Sequence, residues 1–221
     1  MICGNILCFG DSWAYGAELK DNEKPFVHWV STSLGLPYRN LGVSGNSLGV
    51  IVHDIVENIH LIKEKDIVFV IIPPDSRWYD QNEDGFYPLY VNDDDSRQWI
   101  REKTVEWFTY HHSVFIYLIQ KILNDINCRY ILAHNYGELP KKYDLKIDRS
   151  KFLSEKSLLS LLNNENITWN NYSDDLLENN SPGDLHCRGK FFEGCFNHPN
   201  ELGHKAIAKM LLHKLNKTYF S

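Results

Sequence analysis

Gly10, Asp11 and Ser12 end a short apolar run over residues 6–9, and so set a serine hydroxyl at the end of a predicted strand. A hydroxyl is a weak nucleophile until a neighbouring base takes its proton, and an imidazole, with an ordinary pKa of about 6.5, suits that task around neutral pH. The segment His198-Pro199-Asn200-Glu201-Leu202-Gly203-His204 places one such imidazole, His198, just ahead of a predicted helix. Ser12 and His198 are thus a candidate nucleophile and general base for acyl transfer. That chemistry puts negative charge on the former carbonyl oxygen. It needs preorganised donors there, each worth about 2.7–4 kcal/mol.

The elements that must position these groups follow from hydrophobic periodicity. Continuous apolar runs at residues 6–9, 67–72 and 130–133, with a shorter one at 38–41, predict buried strands. Between them the spacing turns helical: Phe26, Val27, Trp29, Val30 and Leu34, then Leu48, Ile51, Val52, Ile55 and Ile59. A third set is Trp107, Tyr110, Val114, Phe115, Leu118 and Ile122, which also takes His111 and His112 into a helix. Such alternation predicts one α/β domain over residues 1–221, with a parallel sheet covered by helices on both faces and the site outside the strands' C-terminal ends. A last helix is expected from Asn200, a favourable N-cap, to about Leu215, with Ala206, Ile207, Met210 and Leu211 as its buried stripe. Residues 73–101 read as an insertion folding over the active edge, and residues 163–197 as a long polar loop leading to His198.

Three blocks of this sequence resemble the SGNH, or GDSL-type, hydrolases. They are Phe9-Gly10-Asp11-Ser12, Asn40-Leu41-Gly42-Val43-Ser44-Gly45, and His198-Pro199-Asn200 followed by Gly203-His204. The resemblance implies a flavodoxin-like three-layer α/β/α sandwich with a central parallel sheet. It also implies Ser12 as nucleophile, His198 as base, and an oxyanion hole built from the amides of Ser12 and Gly45. A glycine suits the latter place because it lets backbone and substrate approach closely. The activity implied is hydrolysis of an acyl ester, acetyl in particular, of a carbohydrate or small molecule through an acyl-Ser12 intermediate.

Two departures stand beside these matches. The family's third block ends its strand with Gly-x-Asn-Asp, whose Asn donates to the oxyanion. Here the strand ends Ile71-Ile72-Pro73-Pro74-Asp75, and Pro74 cannot donate. Ser76 or Arg77 is a candidate replacement. The family also places an Asp three residues before the His, where this chain has Cys195. Glu193, Asp184 or a backbone carbonyl is left to orient His198, and a Ser-His dyad is the working model. The departures keep two alternatives open: a degenerate binding protein of the same fold, and an acyltransferase using the same pair.

Composition bounds the partners. Twenty-nine acidic against 23 basic residues give a formal charge of -6 with no basic run, which argues against nucleic acid. No apolar stretch reaches the roughly 20 residues of a membrane span, and the start lacks the pattern of a secretory signal. A soluble, cytoplasmic protein is therefore expected, with a small-molecule or carbohydrate ester as partner and no cofactor. Five cysteines without a CxxC pair favour reduced thiols. A zinc reading of His186, Cys187, Cys195 and His198 is disfavoured by its loose ligand spacing, and the acidic run at 93–95 reads as a solvated loop. His204 is expected at the surface or in packing rather than in catalysis. Trp78 and Tyr87 are candidate sugar-stacking residues.

Overall fold

A computed structural model of the chain describes residues 4–74, 78–82, 85–89, 105–136, 146–164, 192–193 and 198–220. Four strands, β1 (Ile6–Gly10), β2 (Tyr38–Gly42), β3 (Ile67–Ile72) and β6 (Arg129–His134), form one all-parallel sheet in the order β2-β1-β3-β6. The predicted strands are all present, each within a residue of its expected bounds. The chain leaves β1 toward β2 on one side and then returns to place β3 on the other. This makes the C-terminal end of β1 a topological switch point, where open α/β sheets hold their ligands. Ser12 lies two residues beyond that end.

Side-chain alternation along the strands sorts the core into two layers. Ile6, Cys8, Ile67, Phe69, Ile71, Ile131 and Ala133 face one way, toward α2 (Phe26–Leu34) and the last helix, α6 (Glu201–Leu215). Leu7, Phe9, Val68, Val70, Ile72, Tyr130 and Leu132 face the other way, toward α3 (Leu48–Glu57) and α4 (Val105–Ile126). Every one of these strand residues is buried, so a register slip by one residue would exchange the two layers and is strongly disfavoured. A short helix, α1 (Ser12–Tyr15), follows β1, and another, α5 (Leu158–Asn164), packs on α6. Within the expected insertion lies an antiparallel hairpin of β4 (Trp78–Asn82) and β5 (Gly85–Leu89), with β4 beside α3. Its side chains, Trp78 and Tyr87 included, lie outside the described residues.

Among the described residues, polar contacts from outside the sheet cover the outer edge of β6. Tyr219 Oη accepts from the Tyr130 N–H at 3.1 Å and donates to the Tyr130 carbonyl at 2.9 Å. One step along, the Leu153 N–H donates to the Leu132 carbonyl at 2.8 Å. Both satisfy backbone groups that an open edge would offer to another chain.

Two predicted stripes are rotated in the structure. Helix α4 buries Phe108, His112, Ile116, Ile119 and Leu123, while Tyr110 and Leu118 are exposed. Helix α6 buries His204, Ile207, Ala208, Leu211 and Leu215, leaving Ala206 and Met210 half-buried. In both cases the cause is a buried histidine, which turns the inner face toward itself. His204 is fully buried, stacked on Phe26 at 6.0 Å, and its Nδ1 accepts from the Phe26 N–H at 3.1 Å. It is thus a packing residue and not a surface one. His112 stacks on His134 at 5.8 Å, and His134 on Phe152 at 5.4 Å.

Burial holds these three imidazoles neutral. It lowers His112 to about 3, with the neighbouring His134 adding to the effect, and lowers His134 to about 4. Burial lowers His204 to about 3, with His198 contributing. Because the folded pKa values lie below the unfolded one, the unfolded chain binds more protons between them. Stability is complete above the unfolded pKa of about 6.5 and is lost as pH falls toward the folded values. At pH 5 the predicted loss is about 2 kcal/mol for each imidazole. Urea unfolding at pH 7 and pH 5 tests this, and an unchanged midpoint would show that these rings are not held neutral.

Candidate active site

The site is built where β1, β2 and β6 end. Asp11 has extended backbone and caps α1, its Oδ1 accepting from the Trp13 N–H at 3.1 Å. Ser12 is the first residue of that helix and is 4% exposed. The sequence signal Gly-Asp-Ser therefore divides its labour: Asp11 turns the strand into a helix, which leaves the Ser12 hydroxyl free of that task. The other Asp11 oxygen, Oδ2, accepts from Asn135 Nδ2 at 2.7 Å, and Asn135 Oδ1 in turn accepts from the Tyr136 N–H at 2.6 Å. Asp11 and Asn135 are both fully buried. Trp13 packs edge-on against Tyr136, with ring centroids 5.3 Å apart.

Helix α1 sits against the sheet because two glycines make room for it. A Cβ on Gly10 would lie 2.7 Å from Ala14 Cβ and 2.9 Å from Ile71 Cβ, and the residue has φ +151°. At Gly42 a Cβ would meet Tyr15 N at 2.6 Å. Asn40 fixes the same junction, its Nδ2 donating to the Ala14 carbonyl at 2.8 Å and its Oδ1 accepting from the Gly42 N–H at 3.2 Å. Gly10→Ala is predicted to destabilise the fold by about 2–4 kcal/mol, because overpacking adds to backbone strain. A thermal melt of the variant is the check, and a wild-type Tm would contradict the close packing.

Gly45 lies in a turn over residues 43–46, where the Asn46 N–H donates to the Val43 carbonyl at 3.3 Å. Its φ of +88° is the positive value that a type II turn demands at the third position, which accounts for glycine there. The Val43 N–H donates to the Gly10 carbonyl at 3.0 Å, so this turn is tied to the segment that carries Ser12.

His198 arrives from the far end of the chain in a two-residue strand, β8 (His198–Pro199), rather than in the expected loop. Strand β8 pairs with β7 (Phe192–Glu193) and packs against α1. Asn200 caps α6 as expected, its Oδ1 accepting from the Gly203 N–H at 3.0 Å. His198 Nδ1 lies 3.2 Å from Glu18 Oε2, with the two side chains 13% and 27% exposed. The separation is that of an ion pair, and no hydrogen bond joins the two groups in this arrangement. Catalytic contacts are often poorly aligned in this way before substrate binds.

Glu18 is the residue that sequence reasoning missed, since the motif directed attention to positions just before His198. Of the expected candidates, Glu193 faces His198 in the β7–β8 register, but its side chain lies outside the described residues. So do Asp184, Cys195, Ser76, Arg77, His186 and Cys187. Pro74 is described and partly buried just after β3. Among the described residues no group of three or more His, Cys, Asp or Glu side chains is arranged to hold a metal ion. Cys8 and Cys128 are free buried thiols. Burial pushes both pKa values up, Cys128 to about 12, so neither thiol is a ready nucleophile at neutral pH. No described helix is long and apolar enough to cross a membrane.

No family model matches this chain, and no curated protein does. Its fold does match solved structures. A mutant of Axe2, an acetyl-xylooligosaccharide esterase from Geobacillus, aligns over 97% of this chain and 96% of its own, at TM-score 0.54 and 15% identity. TesA aligns over 97% and 99% at TM-score 0.54 and 9% identity. A structure assigned to the lipolytic G-D-S-L family, from Desulfitobacterium hafniense, aligns over 96% and 99% at TM-score 0.50 and 14% identity. With its four-stranded parallel sheet, helices on both faces and Ser12 at the switch point, this chain has the α/β fold of the SGNH hydrolases.

Proposed function

We propose that this protein is a serine esterase that hydrolyses acyl esters, acetyl esters of carbohydrates or small molecules in particular. The observation that carries the reading is the meeting of chain ends at one sheet edge, with the strand of His198 packed on the helix that Ser12 begins. In the mechanism, His198 Nε2 takes the Ser12 proton as Oγ attacks the ester carbonyl. The amides of Ser12 and Gly45 receive the oxyanion, and the alkoxide leaves with the proton from His198. His198 then deprotonates a water that attacks the acyl carbon, and returns the proton to Ser12 Oγ as the acyl–serine bond breaks and the acid is released. The acetyl preference is supported by the solved neighbour described as an acetyl-xylooligosaccharide esterase.

The test compares p-nitrophenyl acetate, longer-chain p-nitrophenyl esters and acetylated xylo-oligosaccharides as substrates, with Ser12→Ala as control. Acetyl turnover that disappears in the variant is expected. Turnover that persists in the variant, or a preference for long acyl chains, would overturn the mechanism or the acyl assignment respectively. A non-catalytic binding role is the second reading, favoured by Pro74 and Cys195 at two positions where the family carries polar catalytic groups. It predicts binding of acetylated sugars without hydrolysis. Acyl transfer, using the same pair, predicts new ester products when alcohol acceptors are added.

A further inference from the structure

The Nδ1 side of the proposed base has a carboxylate beside it that no motif announces. We propose that Glu18 is the acid of the site: a positioning residue that holds His198 with its proton on Nδ1 and stabilises the imidazolium formed during acyl transfer. This rests on the Ser12–His198 reading and supplies the member missing at Cys195.

Three observations carry it. Glu18 Oε2 stands 3.2 Å from His198 Nδ1, the nitrogen that a base must keep protonated so that Nε2 can accept from serine. The imidazole is largely sheltered and the carboxylate partly so, and the attraction is therefore less screened than at an open surface. The third is backbone conformation. The Leu19 N–H donates to the Gly16 carbonyl at 3.3 Å, and Glu18, at the third position of that turn, has φ +67°. A type II turn favours glycine at this place, and a glutamate there is an uncommon outlier that costs stability. Such strain, retained next to a candidate base, is the signature of a side chain kept for its chemistry. The location is also economical, since Glu18 lies just past the helix that Ser12 begins, and the Gly16 and Ala17 N–H groups both donate to the Ser12 carbonyl at 3.0 Å. The nucleophile and the carboxylate therefore ride on one short, internally bonded segment.

Two other titratable residues lie near His198 or opposite it in register. His204 on α6 is coupled to it electrostatically and is neutral, and Glu193 stands opposite in the β7–β8 register. Glu193 is the competitor that the test must separate.

The experiment uses the full chain in six forms: wild type, Glu18→Gln, Glu18→Gly, Glu18→Asp, Glu193→Gln and His198→Ala. kcat and KM are measured on p-nitrophenyl acetate, and the proton spectrum of His198 Nδ1 is followed on labelled protein. Glu18→Gln is expected to lower kcat by a factor on the order of 10²–10⁴ with KM little changed, since a misoriented or wrong-tautomer imidazole costs up to that in serine proteases. Glu18→Gly is expected to lose activity equally while melting no lower than Glu18→Gln, because glycine suits the turn. A purely structural role would instead restore function in the glycine variant. Glu18→Asp is expected to recover part of kcat. The Nδ1 proton resonance should lie further downfield in wild type than in Glu18→Gln, because the neighbouring carboxylate polarises that N–H, a readout independent of turnover. Full activity and an unchanged resonance in Glu18→Gln, or loss confined to Glu193→Gln, would overturn the proposal. If His198→Ala abolishes turnover while the Glu18 variants retain it, the base stands and Glu18 alone fails. If His198→Ala stays active, the base reading itself falls.

Discussion

Ser12→Ala is expected to lose ester turnover by a factor on the order of 10⁴–10⁶ while melting like the parent. The helix cap at this position is Asp11, so removing Oγ leaves the Trp13 N–H bonded and the α1 backbone intact. His198→Ala is expected to cost as much. Because the two residues act as one unit, the double variant should be no slower than either single one. Losses that add on the free-energy scale would mean independent roles and would contradict proton transfer between them. The measurement is kcat/KM on p-nitrophenyl acetate for all four proteins, with circular dichroism to show the fold retained.

Asn135→Ala is expected to be the most damaging change to stability near the site. It removes the donor at 2.7 Å from a carboxylate that is fully buried, and it removes the acceptor of the Tyr136 N–H at 2.6 Å. Removing a hydrogen-bond donor to a buried charged group costs about 1.5–3 kcal/mol, more than an exposed polar contact would, and losing the Tyr136 N–H acceptor adds to it. Since Asp11 also sets the start of α1, kcat should fall with stability. Urea unfolding of Asn135→Ala against wild type is the check, and a loss below about 1 kcal/mol would show that Asp11 is not relying on this amide. Asn135→Asp sharpens the point, because a second carboxylate against Asp11 repels it at neutral pH and is relieved on acidification.

The strands could be read from sequence because both sheet faces are covered, which makes each one a near-continuous apolar run. Residues 67–72 are the plainest case, and all six are buried. Helix boundaries were equally legible where chemistry marks them, as at Asn200, whose side chain caps α6. Buried faces were less so. His112 and His204 are polar by type yet lie inside as neutral rings, His112 stacked on His134, and His204 stacked on Phe26 and accepting its backbone N–H. Periodicity counts such residues as outward and so rotates the stripe. Among the residues of the proposed site, Ser12, Gly45 and His198 announce themselves through local patterns of glycine, proline and asparagine. Asn135 and Glu18 do not, because each acts through a contact between residues distant in sequence. Only the strand order, which sets the end of β6 near Asp11, and the return of β8 to α1 bring them into reach. One signal for Glu18 was local: it falls in a turn beginning at Gly16 where a positive φ is required and a glycine would serve better.

The central claim is that Ser12 is an activated nucleophile, and the most direct measurement is intact-mass analysis after incubation with a fluorophosphonate. The account predicts one adduct on the wild type, none on Ser12→Ala and strongly slowed labelling in His198→Ala. An unlabelled wild type, under conditions that modify a known serine esterase, or an adduct that survives in Ser12→Ala, would contradict it.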